Sequence, residues 1–282
     1  MKKQVFLFIF LILSVVLVNA QIQQNEDTGT RGSFLSTRPA LEKPTSSSSE
    51  KPVRKKTDTS QKKNIKKADV NKTKSILGLG YTLYLKGKND EPVRVSPTRE
   101  FQAQEAIRIV VEPNTDGYLY VFHTENDGQP TMIFPDARLK RGDNTVQAHV
   151  PYEVPSSDNP ETELQWFVFD EKSATENIYL VLSRVPLDKV PSSEELVKYC
   201  QEKLCPWRPS EVLWQSLKSS INTPVKVSKN NNDQGEVQST TEKRSIKETV
   251  ALAKQSSAPT VIYMHGLAES DKLVTPVSLV HK

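Results

Sequence analysis

What the chain lacks narrows its chemistry first. It carries no Gly-x-Ser-x-Gly nucleophile elbow, no His-Glu-x-x-His, no phosphate-cradling glycine loop and no dinucleotide fingerprint. Its 4 histidines, His123, His149, His265 and His281, are scattered. Cysteine is found only at Cys200 and Cys205, with no histidine at ligand spacing nearby, which argues against zinc. Asp127, Asp136 and Asp143 fall in turns and lack the alternate-position spacing of a calcium loop. The expectation is a chain with no catalytic residue, no cofactor and no metal.

Large apolar residues are nearly missing from residues 21–75, where Ser46–Ser49 and three prolines sit among charges. Such a segment cannot bury enough surface to offset its ordering entropy, so a disordered linker is expected. Between Lys51 and Lys74 ten lysines or arginines face only Asp58 and Asp69. That run reads as a solvated spacer or as a tether for an anionic polymer or membrane surface. No aromatic residue is interleaved with it, so a base-stacking nucleic-acid site is not expected.

Residues 1–20 have the form of a signal peptide. Lys2 and Lys3 precede the apolar run Val5–Val18, and Val18-Asn-Ala20 is a small-x-small cleavage site. No cysteine follows the run, so a bacterial lipid anchor is not supported. The expected destination is the periplasm or the extracellular space.

Residues 76–190 read as short strands. Ile107, Ile109 and Val111 alternate with Arg108, Val110 and Glu112, the period of a strand with one face buried. Pro113–Gly117 supplies turn residues, with Gly117 free to take positive φ, and Asn126-Asp-Gly128 is a strong hairpin signal. Further strands are read at Tyr81–Leu85, Thr145–Val150, Glu163–Phe169 and Asn177–Ser183. Strands this short, without long helical patterns between them, predict a mainly β, antiparallel sandwich of immunoglobulin-like or similar form. This region holds 11 basic and 18 acidic residues, a net of −7, whereas the whole chain is +4.

The series Gly78–Leu85, Val93–Pro97, Glu100-Phe101, Ile107-Arg-Ile109, Gly117-Tyr-Leu-Tyr-Val121, Ile133-Phe-Pro135, Asp143-Asn144 and Val181–Pro186 resembles the bacterial family called domain of unknown function 4384. The family's Gly-Asp turn before the Ile-Arg-Ile strand is replaced here by Gln104-Glu105, so a turn of another type is expected. The terminal Leu273-Val274 and Ser278-Leu-Val-His281 extend the resemblance. It implies a small β domain of exported or modular bacterial proteins and carries no catalytic residues.

Residues 191–221 read as a helical flap. Ser192 and Glu195 form a capping box, Leu196, Cys200 and Leu204 share a face, and Pro209 stands to open a second helix with Leu213, Trp214 and Leu217 as its stripe. Residues 222–257 read as a flexible insertion, and 258–282 as strands returning to the sandwich, with Pro276 marking an edge or a bulge. Cys200 and Cys205 favour a disulfide outside the cytosol, provided the helix ends near Lys203; the other reading is two buried thiols.

Two features invite a functional reading. Tyr118, Tyr120 and Phe122 make either a recognition strip or a core face. Val261–Gly266 resembles the His-Gly turn of a hydrolase oxyanion hole, giving an alternative enzyme centred on His265. The leading expectation is an exported, non-enzymatic binding module at the cell envelope, with a protein or envelope-surface partner. Export predicts that mass analysis of the mature protein gives an N-terminus at Gln21; an intact Met1 in the membrane fraction would replace export by anchoring.

Overall fold

The computed structural model of the chain describes residues 29–40, 75–203, 205–222 and 225–282. Residues 1–20, expected to be a signal peptide, and the basic run Lys51–Lys74 lie outside the described residues. Residues 29–36 form helix α1. Then follow β1 Gly78–Lys86, β2 Pro92–Val95, β3 Glu100–Phe101, β4 Ala106–Pro113, β5 Gly117–Glu125, β6 Thr131–Phe134, β7 Thr145–Val146, β8 Tyr152–Val154, β9 Phe167–Val168 and β10 Ala174–Ser183. The chain continues through α2 Ser193–Glu202, α3 Glu211–Ser219, β11 Val225–Lys229, α4 Thr240–Glu248, β12 Val261–His265 and β13 Lys272–His281.

Two sheets pack face to face. The first has seven strands, in the order β11-β12-β1-β4-β8, with β2 on β1 and β9 on β4. The second has six, in the order β3-β13-β10-β5-β6, with β7 on β5. All pairings are antiparallel except the short one of β3 with β13. The central core holds the alternate residues read as inward: Leu79, Tyr81 and Leu83 of β1, Ile107, Ile109 and Val111 of β4, and Leu180 and Leu182 of β10. The mainly β sandwich expected from the sequence is the fold.

Several local expectations are corrected. Pro113–Gly117 carries the chain from one sheet to the other, and Gly117 does not take positive φ. It is glycine for space: a Cβ there would lie 2.4 Å from the Ser183 carbonyl oxygen. The expected strands at 145–150 and 163–169 shrink to two residues each. Asn126 and Asp127 both take left-handed backbone and close the β5–β6 hairpin as expected. Pro276 sits within β13 opposite Tyr179, and β13 meets β3 only at Val280 and His281, so its other edge is open beside the proline.

The flap forms as read, with changes at its caps. Trp214 packs on Phe122 and Tyr179 at centroid distances of 5.8 and 4.8 Å. Ser192 caps α2 without a side-chain hydrogen bond, so the capping box is not made. Ser210, rather than Pro209, opens α3, and its hydroxyl accepts from the Leu213 amide. The α2 helix ends at Glu202 with Lys203 as its cap, which brings the Cα atoms of Cys200 and Cys205 to 5.2 Å and bridges them.

Two larger corrections concern segments read as unstructured. Within the expected linker 21–75, residues 29–40 are folded onto the outer face of the first sheet. Phe34 is fully buried against Ile262 and Met264. A Cβ at Gly78 would sit 3.0 Å from the Phe34 ring, so glycine there leaves room for it. Within the expected insertion 222–257, β11 pairs with β12, α4 buries Glu242 and Ser245, and Leu252 is buried. Composition misled in both cases because the face being covered is itself polar. Outward-pointing Tyr84, Arg108 and Glu112 meet polar partners rather than water.

Three buried arginines, each beside a buried carboxylate, hold this cover. Arg38 contacts Glu112 through Nε at 2.8 Å and Nη2 at 2.6 Å, and its remaining N–H groups reach the carbonyls of Ala253, Ser256 and Ser257. Arg94 and the Tyr84 hydroxyl both donate to Glu242 of α4. Burial pushes the Glu242 carboxyl above the ordinary carboxylate range, against the opposing pull of Arg94. Arg108 lies 3.5 Å from Glu153 and stacks over Trp166 at 4.1 Å.

The turn before β4 keeps the conformation that glycine favours, although glycine is absent: Gln104 has φ of 68°. A non-glycine residue in left-handed backbone costs about 1 kcal/mol or more. Gln104→Gly should therefore raise the unfolding free energy by about 0.5–1 kcal/mol after the extra chain entropy of glycine is set against it, read as a higher denaturant midpoint. An unchanged or lowered midpoint would show that the Gln104 side chain contributes more than its backbone costs.

Candidate functional site

The two sheets close poorly where β6 ends the second sheet and β8 and β9 end the first. Three cavities lie along this side. The first, about 170 Å³, is lined by Phe134, Asp143, Val150, Tyr152 and Pro155, with Ile246 of the α4 segment. The second, about 490 Å³, runs between Pro135–Arg138, Leu164–Phe167 and the flap, where Leu196, Cys200, Cys205 and Trp207 complete its wall. The third, about 220 Å³, lies between Ile107, Phe167, Phe169 and Ile178, with His123 and Glu176 in its wall. The first two share Ile133, Asp136 and Pro155, and the last two share Phe167. Together they form a furrow with aromatic and proline walls.

Each wall is fixed by the fold. The Met132 amide donates to the Trp207 carbonyl, so the chain after the disulfide lies along the edge of β6. The disulfide holds that segment to the end of α2. On the opposite bank, Arg108 donates to the Gln165 carbonyl and supports Trp166 from below. At the rim Asp136 accepts from Arg138, which also reaches Glu161 at 3.6 Å. That guanidinium is thus paired on both sides. Val168 stands on the rim, 54% exposed.

At the third cavity the fold brings together titratable side chains that the sequence left scattered. Glu176 of β10 lies between His123 of β5 and His281 of β13, which hydrogen-bond to its two oxygens. The cross-strand register sets this up: Ile178 faces His123, and Ala174 faces His281, so Glu176 falls between them on the inner side of the sheet. The His281 ring stacks on Phe169 at 4.9 Å, and its Nδ1 is buried without a partner. Burial alone would raise the Glu176 carboxyl, but the hydrogen bonds and charge of His123 and His281 outweigh it and hold it below the ordinary range. The lining of this cavity has no serine, threonine or cysteine. Among the described residues no group of three or more His, Cys, Asp or Glu side chains could hold a metal ion.

The residues singled out from the sequence fall elsewhere. Tyr120 and Phe122 are fully buried and Tyr118 is half-buried, all in the second core beneath the flap. They are packing residues rather than a recognition strip, because the flap covers the face on which they stand. His265 is buried at the end of β12; its Nδ1 accepts from the Leu267 amide, and it lines none of the three cavities. Asp136 and Asp143 do reach the furrow wall, while Asp127 receives hydrogen bonds from Asn177 and Tyr179. Trp166, Phe167 and Trp207 were missed, since they come from two short segments with no common motif.

The depressed Glu176 carboxyl gives a signed prediction. Its folded value lies below its unfolded value near 4.3, so its stabilising effect is complete above that and fades as pH falls through the folded value. Glu176→Gln should cost about 1–2 kcal/mol at neutral pH, with the difference from the parent shrinking as pH falls through the depressed folded value. A difference that persists into stronger acid would show that packing, not charge, is what Glu176 supplies.

Residues 100–186 match the family model described as Domain of unknown function (DUF4384). Searches of curated proteins and of solved structures return no match. The matched stretch runs from β3 to β10 and includes both banks of the furrow except the flap. Strands β1, β12 and β13 lie outside it, yet pair directly with its strands or with one another. The match covers 87 of the 282 residues and falls within the stretch whose residues resemble the same family.

Proposed function

We propose that the protein is an exported, non-enzymatic binding module of the bacterial cell envelope, and that the furrow receives an extended segment of a protein partner. The observation that carries this reading is the row of three wall-sharing cavities on the side where β6 faces β8 and β9. Binding sites are concave and mostly apolar, with a few polar groups that fix orientation. Trp166, Trp207, Phe134 and Phe167 supply such walls, and Asp136, Glu176 and His123 supply polar points between them. The rim aromatics suit the pockets of a partner's alternate side chains.

Export rests on the charged, apolar and small-x-small order of residues 1–20. The basic run Lys51–Lys74 suits an anionic polymer or membrane surface, which the acidic sandwich would not. Nucleic acid is not the expected partner, for want of interleaved aromatics. The alternative, a hydrolase around His265, draws only on the His-Gly turn.

A photo-crosslinking residue at Val168, on the furrow rim, should capture a partner from the source cell's envelope fraction. The same residue at Val212, 82% exposed on α3, should not. Equal capture from both positions would remove the furrow from the account. Hydrolysis of an ester or peptide panel, abolished by His265→Ala, would replace the binding reading by the enzymatic one.

A further inference from the structure

Residues 29–40 cover part of the outer face of the first sheet. Residues 29–40 meet it through discrete pockets rather than through a continuous apolar stripe. Phe34 enters the gap beside Gly78 and Gly80, against Ile262 and Met264. Four residues on, Arg38 is fully buried, and each of its N–H groups has an acceptor: the two Glu112 oxygens and the carbonyls of Ala253, Ser256 and Ser257. Between them the Thr37 hydroxyl lies 2.8 Å from His149 Nε2, whose ring donates through Nδ1 to Glu112. Arg31 reaches Ser228 and the Pro259 and Thr260 carbonyls, and the Lys254 amide donates to the Pro39 carbonyl.

We propose that this face is a peptide-binding site for short segments that carry an aromatic ring and, four positions later, an arginine, and that residues 29–40 are its occupant in cis. The walls of the site come from β1, β4, β11, β12 and residues 253–260. None of them needs the covalent link to residues 29–40 to take its place in the sheet. That link runs through residues 41–74, a contour of roughly 120 Å. Arginine is specified by the carbonyl ring and the buried carboxylate together: a planar fork satisfies both oxygens of Glu112 and three further acceptors, whereas a lysine ammonium has three donors and cannot. A different segment with the same pair of side chains fits the same pockets.

The test uses the mature chain with a site-specific protease sequence placed within residues 41–74. After cleavage the N-terminal fragment should co-elute with the domain on size exclusion. A fluorescent peptide of residues 29–40, added in excess, should replace it, with a rise in anisotropy. The Arg38→Lys and Phe34→Ala peptides should bind at least tenfold more weakly, and Ser36→Ala, at an exposed position, within twofold of the parent. A fragment that no peptide displaces, or a domain that unfolds as the fragment leaves, would make residues 29–40 an integral part of the fold and overturn the proposal. Arg38→Lys binding within twofold of the parent would overturn its chemistry.

Discussion

The Glu112 carboxylate projects from the outward face of β4, the side that its alternation with Val111 would give to water. It is instead buried, with the Arg38 fork on one side and the His149 ring on the other. Burying two charges costs several kcal/mol per ion, recovered only where the geometry is close and every polar group is satisfied. Here the guanidinium has no N–H left over. The consequence is register more than raw stability: residues 29–40 and 253–257 converge on one point of one strand and cannot dock elsewhere without leaving Glu112 unmatched.

The same device recurs twice across this face. Arg94 with Glu242 fixes α4, and Arg108 with Glu153 and Trp166 fixes the segment before β9. Each covering segment is thus held by one buried arginine, through a carboxylate in the case of residues 29–40 and α4 and through the Gln165 carbonyl and the Trp166 ring before β9. The second sheet solves the same problem in the ordinary way, with Tyr120, Phe122 and Trp214 forming an apolar layer beneath the flap. The furrow follows from this arrangement. Arg108 props up one bank through Trp166, and the flap supplies the other through Trp207.

How far the sequence could be read depends on the kind of surface each residue meets. Ile107, Ile109 and Val111 were legible because a period of two with apolar side chains has one meaning, a strand facing a core. Arg108 and Glu112 were not, because the same period with charged side chains looks alike whether the cover is water or a docked guanidinium. Phe34 and Arg38 lie among serines and prolines, so composition assigned them to a linker; two well-placed side chains outweighed their neighbours. His123, Glu176 and His281 came together through the registers of β5, β10 and β13, which no local pattern discloses. Gln104 holds a left-handed turn because the amide and carbonyl of Phe169 pair with the Glu105 carbonyl and the Gln104 amide on both sides of it.

The central claim is that a buried guanidinium–carboxylate pair ties residues 29–40 to the sandwich. Native-state hydrogen exchange measures this directly at the Thr37 and Arg38 amides, which donate to the Phe34 and Leu35 carbonyls. The account predicts that both exchange at least about 100-fold more slowly than in an isolated peptide, equivalent to an opening free energy of about 2.7 kcal/mol or more, and that Arg38→Ala returns the Thr37 amide to the peptide rate. Exchange at peptide rates in the unaltered protein would contradict it.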